Sequence, residues 1–187
     1  MPVHFSSEQL EHAARTLRGL PDGVERAAAL ALNRASLAAR TFGLRRLAAT
    51  YTTKRETVAR TMVMDKASKS SLVAGFSSKG GRIPLTSFQM RPRGPTVHRE
   101  SLTFSVRRGS GGKSIGHGFA NLTKGGRLMA LQREGSARYP VRGLFGPAAP
   151  QMLGEEGVRG EIEARGQEIL DRRFDHEIGR LLRGAMK

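Results

Sequence analysis

The stretch RRGSGGKS, Arg107 to Ser114, carries glycines, a lysine and a terminal hydroxyl in nearly the order of a phosphate-cradling loop. Such a loop needs glycine at the first of its eight positions, so that backbone amides can wrap the phosphates. It must also open a helix whose N-terminus supports the anion. Here the first position is Arg107, and the following Ile115-Gly-His-Gly-Phe119 is a poor helix start. No Asp suited to holding magnesium follows a later apolar strand. The pattern argues against nucleotide hydrolysis and leaves a flexible basic loop that could touch a backbone phosphate or an acidic neighbour. The histidines His4, His12, His98, His117 and His176 show no short metal-ligand spacing, and there is no cysteine. Neither a GxSxG elbow nor another nucleophile–base pattern occurs. The expectation is a protein without catalysis, metal or cofactor.

A chain of 187 residues is long enough to bury a core without disulfides, which it cannot form. With eight Phe, two Tyr and no Trp, that core must rest on Leu, Val, Ile and Ala. The N-terminus MPVHFSSEQLEHAAR contains two Glu and no apolar h-region, unlike a secretory signal. The longest apolar run, AAALAL at residues 27–32, falls far short of the roughly 20 residues of a spanning helix. A soluble protein without a membrane partner is expected.

Net charge is +16, unevenly spread. Residues 61–150 hold fifteen basic and three acidic side chains, net +12, against +5 for residues 1–60 and −1 for residues 151–187. Such a middle segment attracts polyanions, although an Arg-rich composition alone would also produce it. A sequence-reading helix in a compact helix-turn-helix setting is not evident. A single-strand binder would interleave aromatics with basic residues, and Phe104 and Phe119 read as core-facing. Contact with nucleic acid is thus expected to be electrostatic.

Residues 6–18 read as a short capped helix, ended by Gly19-Leu-Pro-Asp-Gly23. Residues 24–50 form the strongest helix. Leu30, Leu37, Leu44 and Tyr51 recur every seven residues, with an Ala-rich flank suited to close packing, most simply on the protein's own sheet. Thr53 and Glu56 have capping-box spacing for another short helix. ESLTFSVR, residues 100–107, alternates as a half-buried strand. Residues 61–65, 71–77 and 82–88 are weaker strand candidates, and residues 119–123 and 127–133 form a hairpin around Lys124-Gly-Gly126. Two basic loops, residues 89–98 and 108–114, interrupt the strands. From about residue 155 to 184 the chain is helical again, with Val158, Ile162, Ile169, Phe174, Ile178, Leu181 and Leu182 on one face. Gly157, Gly160 and Gly166 weaken its first half.

Between sheet and helix stands YPVRGLFGPAAPQMLG, residues 139–154, with three prolines and three glycines among large apolar groups. So many breakers predict neither strand nor extended helix, yet a floppy linker would not carry those apolar groups. Prolines fix an extended path, and Pro150 can occupy the first turn of a helix. Two readings stay open: a buried crossover, or a rigid docking surface.

Several segments together resemble the minor tail protein Z family, the tail completion proteins of long-tailed phages and prophages. They are Ala31-Leu32-Asn33 in the long helix, Arg82-Ile83-Pro84-Leu85, Gly118-Phe119-Ala120, and Tyr139-Pro140-Val141 followed by Leu144, Gly146-Pro147, Pro150 and Met152. The resemblance spans about residues 24–182, and the ordered GP-x-x-P-x-M element is its most specific part. Tyr139 stands where Leu is common, and the basic segment 89–98 lies outside the pattern. The resemblance implies a structural virion protein at the head-proximal end of a tail. It would be made in the host cytoplasm, form a homo-oligomeric ring and meet the tail terminator, tail tube and head–tail joining proteins, with the genomic DNA end nearby.

The expected fold is α+β, a long N-terminal helix packed on a mainly antiparallel sheet of about 4–6 strands, with a C-terminal helix. Residues 1–138 would form the core domain, and residues 139–187 the connector and helix, in the same domain or as an extension. Expected contacts to DNA or an acidic partner are Arg91, Arg93, Arg99, Arg107, Arg108 and Lys113. The expected protein interface is Tyr139, Leu144, Phe145, Pro147, Pro150, Met152 and Leu153. The competing reading is a sequence-independent, basic nucleic-acid-binding protein, motivated by charge alone.

Overall fold

Ala, Leu and Arg dominate residues 23–50, good helix formers without an internal proline, and they form helix α1, Gly23–Thr50. The computed structural model describes residues 15–16, 22–96 and 101–185. After α1 come α2 (Arg55–Ala59), β1 (Met62–Asp65), β2 (Gly75–Ser78), β3 (Arg82–Pro84) and a 3-10 turn (Leu85–Ser87). Then follow β4 (Gln89–Arg91), β5 (Leu102–Ser105), β6 (Lys113–Ile115), β7 (Gly118–Leu122) and β8 (Leu128–Arg133). The chain continues through β9 (Val141–Gly143), β10 (Phe145–Ala148), α3 (Ala149–Gly154) and α4 (Glu156–Ala185). The fold is α+β as expected, with its antiparallel strands shared among four small sheets. Most of the expected opening helix lies outside the described residues. No helix among the described residues is long and apolar enough to cross a membrane.

Two compact units emerge, one within Met1–Gly43, Met62–Ser78 and Gly154–Lys187, the other within Leu44–Thr61 and Lys79–Leu153. In the first, the core joins α1 to α4. Ala27, Ala28, Ala31, Leu32 and Ala35 cluster with Leu170, Phe174 and Ile178, and with Ala67 and Ala74 from the β1–β2 connection. The alanine flank thus serves a helix–helix contact, where small side chains allow close approach. The heptad leucines of this part face outward instead: Leu30 is 40% exposed and Leu37 53%. Asn33 clamps the connection to α1, its Nδ2 donating to the Ala67 carbonyl (3.0 Å) and its Oδ1 accepting from the Ala67 amide (2.8 Å). Lys69 pairs with Asp22 at 2.8 Å and holds that carboxyl below its ordinary range, but both are exposed, so the pair adds little.

Helix α4 runs unbroken through Gly157, Gly160 and Gly166, each unfavourable by roughly 1 kcal/mol relative to Ala. Pairs one turn apart offset part of this, at about 0.2–0.5 kcal/mol each. Arg159 bonds Glu163 (2.9 Å), Arg172 bonds Glu168 (2.8 Å), and Gln167 bonds Asp171 (2.9 Å). Tertiary packing supplies the rest, with Val158, Ile162, Leu170, Phe174 and Ile178 buried.

In the second unit, α2 begins at an N-cap Lys54 that makes no side-chain cap bond. The capping box expected of Thr53 and Glu56 does not form. Thr53 is buried, and its hydroxyl finds no hydrogen-bond partner among the described residues. β10 pairs with β3, β4–β5–β6 form one three-stranded sheet, and β7–β8–β9 form another. The β7–β8 hairpin matches expectation, its turn closed by Gly126 at φ +72°.

The breaker-rich stretch, by contrast, is strand, strand and helix. β9 joins β8, after which the Leu144 amide donates to Ala130 O (2.8 Å) and Leu144 O accepts from the Leu85 amide (3.1 Å). β10 then aligns Phe145 with Pro84 and Ala148 with Arg82. Short edge strands tolerate proline because only one side of the backbone must pair. Gly146 permits the closest approach: a Cβ there would lie 2.6 Å from Cε2 of the buried Phe88. Pro150 sits in the first turn of α3 as expected, and Gln151 Oε1 accepts from the Ala148 amide (2.9 Å), half of a capping box.

Candidate functional site

The charge of the chain belongs almost wholly to one unit. Segments 44–61 and 79–153 carry eighteen Lys or Arg and three Asp or Glu, net +15, whereas the remaining segments carry fourteen against thirteen, net +1. The basic middle of the sequence is therefore concentrated in the second unit.

Its basic side chains are fixed by the end of α1 and by β5. The Thr52 amide donates to Val106 O (3.0 Å), and the Arg108 amide donates to Thr50 O (2.9 Å). Thr52 Oγ1 donates to Ser105 O (2.6 Å) and accepts from the Gln89 amide (2.9 Å), so one hydroxyl ties α1, β4 and β5 together. The Arg108 Nε donates to Ala48 O (2.7 Å), placing a cation on the last carbonyls of α1, where the helix dipole favours it. The Arg107 guanidinium lies over the Tyr51 ring at 5.5 Å from its centroid. Ser105 Oγ donates to Arg107 O (2.7 Å), pinning the start of the glycine-rich loop. That loop leads into strand β6 and not into a helix.

The predicted cations fall in different places. Arg93 and Arg108 come together in a groove of about 720 Å³, also lined by Lys54 and by the hydroxyls of Thr52, Thr57, Thr86 and Ser87. Among the described residues no Asp or Glu lines it. Lys54 is an addition to the expected set; its only signal in the sequence is its place before a short helix. Arg91 opposes Thr103, whereas Lys113 opposes Phe104, so the pleat directs these two to opposite faces of the β4–β5–β6 sheet. Arg99 lies outside the described residues.

The predicted protein-contact residues divide by burial. Met152 (1% exposed) and Leu153 (4%) belong to the core. Leu144, Pro147 and Pro150 are half-buried, whereas Tyr139 (67%) and Phe145 (39%) are exposed. The Arg82 guanidinium donates to Phe145 O (3.2 Å) across the β3–β10 pair. The R-I-P-L and G-P-x-x-P-x-M segments, far apart in sequence, are therefore neighbours.

Phe119 departs from expectation. In β7, Gly118 and Ala120 are buried, and the alternation leaves Phe119 half-buried on the other face. The Arg133 guanidinium lies 5.2 Å from its ring centroid. Phe104 is likewise only half-buried. In β5 only Leu102 is buried and the three residues after it are half-buried, whereas in β7 burial alternates over residues 118–120 with the small side chains pointing inward.

No curated protein and no solved structure gives a match to this sequence. A match to the family described as prophage minor tail protein Z (GPZ) covers residues 8–187. With nearly the whole chain inside that match, and its characteristic segments joined in the β3–β10 pair, the chain belongs to the prophage minor tail protein Z family and is a structural protein of a phage tail.

Proposed function

We propose that this chain completes the head-proximal end of the tail as a repeated subunit of a ring, and that its basic unit faces the DNA end. It would meet the tail terminator and tail tube through protein contacts that include Phe145. The observation that supports this most is the segregation of charge, net +15 on the segments of one unit. It comes with a hydroxyl-lined groove holding, among the described residues, three cations and no acid. Backbone phosphate needs only such cations and hydroxyl donors, without base readout. No catalytic step is required.

Position is tested by immunolabelling an epitope-tagged chain in purified particles. Label at the head–tail junction is expected, and label confined to the distal tail would overturn the reading. The DNA-facing surface is tested separately by duplex binding across salt concentrations. Replacing Lys54 and Arg93, which share the groove, together by Gln is expected to lower the slope of log affinity against log salt by about 2, near 0.9 for each phosphate no longer neutralised. An unchanged slope would remove these side chains from any DNA surface.

A further inference from the structure

A second groove, of about 580 Å³, follows β7, the outer strand of the β7–β8–β9 sheet. It combines features that the rest of the basic unit keeps apart. The sheet face that carries Phe119 also carries Leu131 directly across from it, and Arg133 and Val141 opposite one another at its end. Two cation–aromatic pairs stand together here: Arg133 over Phe119 at 5.2 Å, and Arg138 over Tyr139 at 5.7 Å. Among the described residues neither guanidinium side chain makes an ion pair or a hydrogen bond. Among the described residues no Asp or Glu lines the groove. Tyr139 is 67% exposed and Leu122 54%, a large apolar exposure for so basic a unit. At the middle of the strand edge, Thr96 closes the backbone, donating to Ala120 O (2.8 Å) and accepting from the Ala120 amide (2.6 Å).

We infer that this groove binds single-stranded DNA, with bases stacked on the open faces of Tyr139 and Phe119 and phosphates held by Arg133 and Arg138. Interleaved aromatics and unpaired arginines are what an unstacked strand requires, because every base offers a π-face and every linkage a charge. Duplex DNA would use the arginines but not the rings, since its bases are already stacked. A protein strand added along β7 would meet the Thr96 closure and would need acidic side chains for both arginines, so the groove suits it less. The inference rests on the reading of this unit as DNA-facing and adds which form of DNA this part of it takes.

The test is fluorescence anisotropy with the full chain, using a labelled oligothymidylate of about twelve nucleotides, within the roughly 4–16 that one binding fold covers. A duplex of equal length serves as the control at about 100 mM salt. The wild type is expected to prefer the single strand. Tyr139→Ala should weaken single-strand binding about tenfold while changing duplex binding less than about twofold, and Tyr139→Trp should restore it. The exposure of Tyr139 makes these variants safe for folding. If Tyr139→Ala leaves single-strand affinity unchanged, or weakens both forms equally, the inference is overturned. Duplex binding without single-strand preference would sink the inference and leave the proposed DNA-facing role intact. Failure to bind either form would sink both.

Discussion

Replacing Phe174 by Ala is expected to cost about 3–5 kcal/mol, enough to unfold much of the helical unit. Phe174 is 1% exposed and shares its cluster with Ala27, Ala28, Ala31 and Ala35 of α1. Side chains this short cannot swing into the space left by the ring, so the cavity persists and the dispersion attraction the ring supplied is not recovered. Hydrogen exchange resolved by peptide should show faster exchange in residues 23–43 and 156–185. Unaltered protection in both segments would show that this ring is not the centre of the unit.

The second large effect separates two residues that sequence alone groups together. Met152→Ala is expected to cost about 2–5 kcal/mol, because Met152 is 1% exposed on a short helix with buried neighbours Ala149 and Leu153. Its phenotype should be loss of folded protein. Phe145→Ala, at a side chain 39% exposed, is expected to change stability by no more than about 1 kcal/mol. If Phe145 is a docking residue, that variant accumulates as folded protein yet gives fewer infectious particles on complementation. Wild-type particle yield from a well-folded Phe145→Ala variant would leave the stretch a purely internal crossover. Normal stability of Met152→Ala would contradict its place in the core.

Helices are the most legible part of the fold, because their signals are local. The composition of residues 24–50 and the apolar face of residues 158–182 mark both long helices nearly to the residue. Less visible is which face of α1 is buried. The leucine heptad suggests Leu30 and Leu37, but alanine permits a closer approach to α4 and occupies the seam. β5, β7 and β8 are readable from their apolar patterns. β4, β6, β9 and β10 escape a reading of the sequence because each is only three or four residues long, and β10 in addition is held by a partner distant in the chain, Phe145 by Pro84. The family-like segments announce their kinship but not their adjacency. Of the expected site, Arg93 and Arg108 share a groove, Arg91 and Lys113 face apart, and Met152 and Leu153 are internal. No local pattern encodes those outcomes, since each depends on how strands from separate segments register.

The segregation of charge also bears on folding before assembly. A unit with eighteen cations and three acids repels itself, and its short strands must hold together against that pressure. Added salt shortens the range of the repulsion, so this unit should become more resistant to denaturant as ionic strength rises from about 10 to 150 mM. The near-neutral helical unit, braced by exposed ion pairs, should gain nothing from the same change. Stability that falls with salt in the basic unit would contradict this. A polyanion would relieve the repulsion far more completely than dilute salt, because its charges are covalently linked and cannot diffuse apart. The basic unit is thus under internal electrostatic pressure when free, and DNA, if it binds there as proposed, would tighten the subunit as it seats.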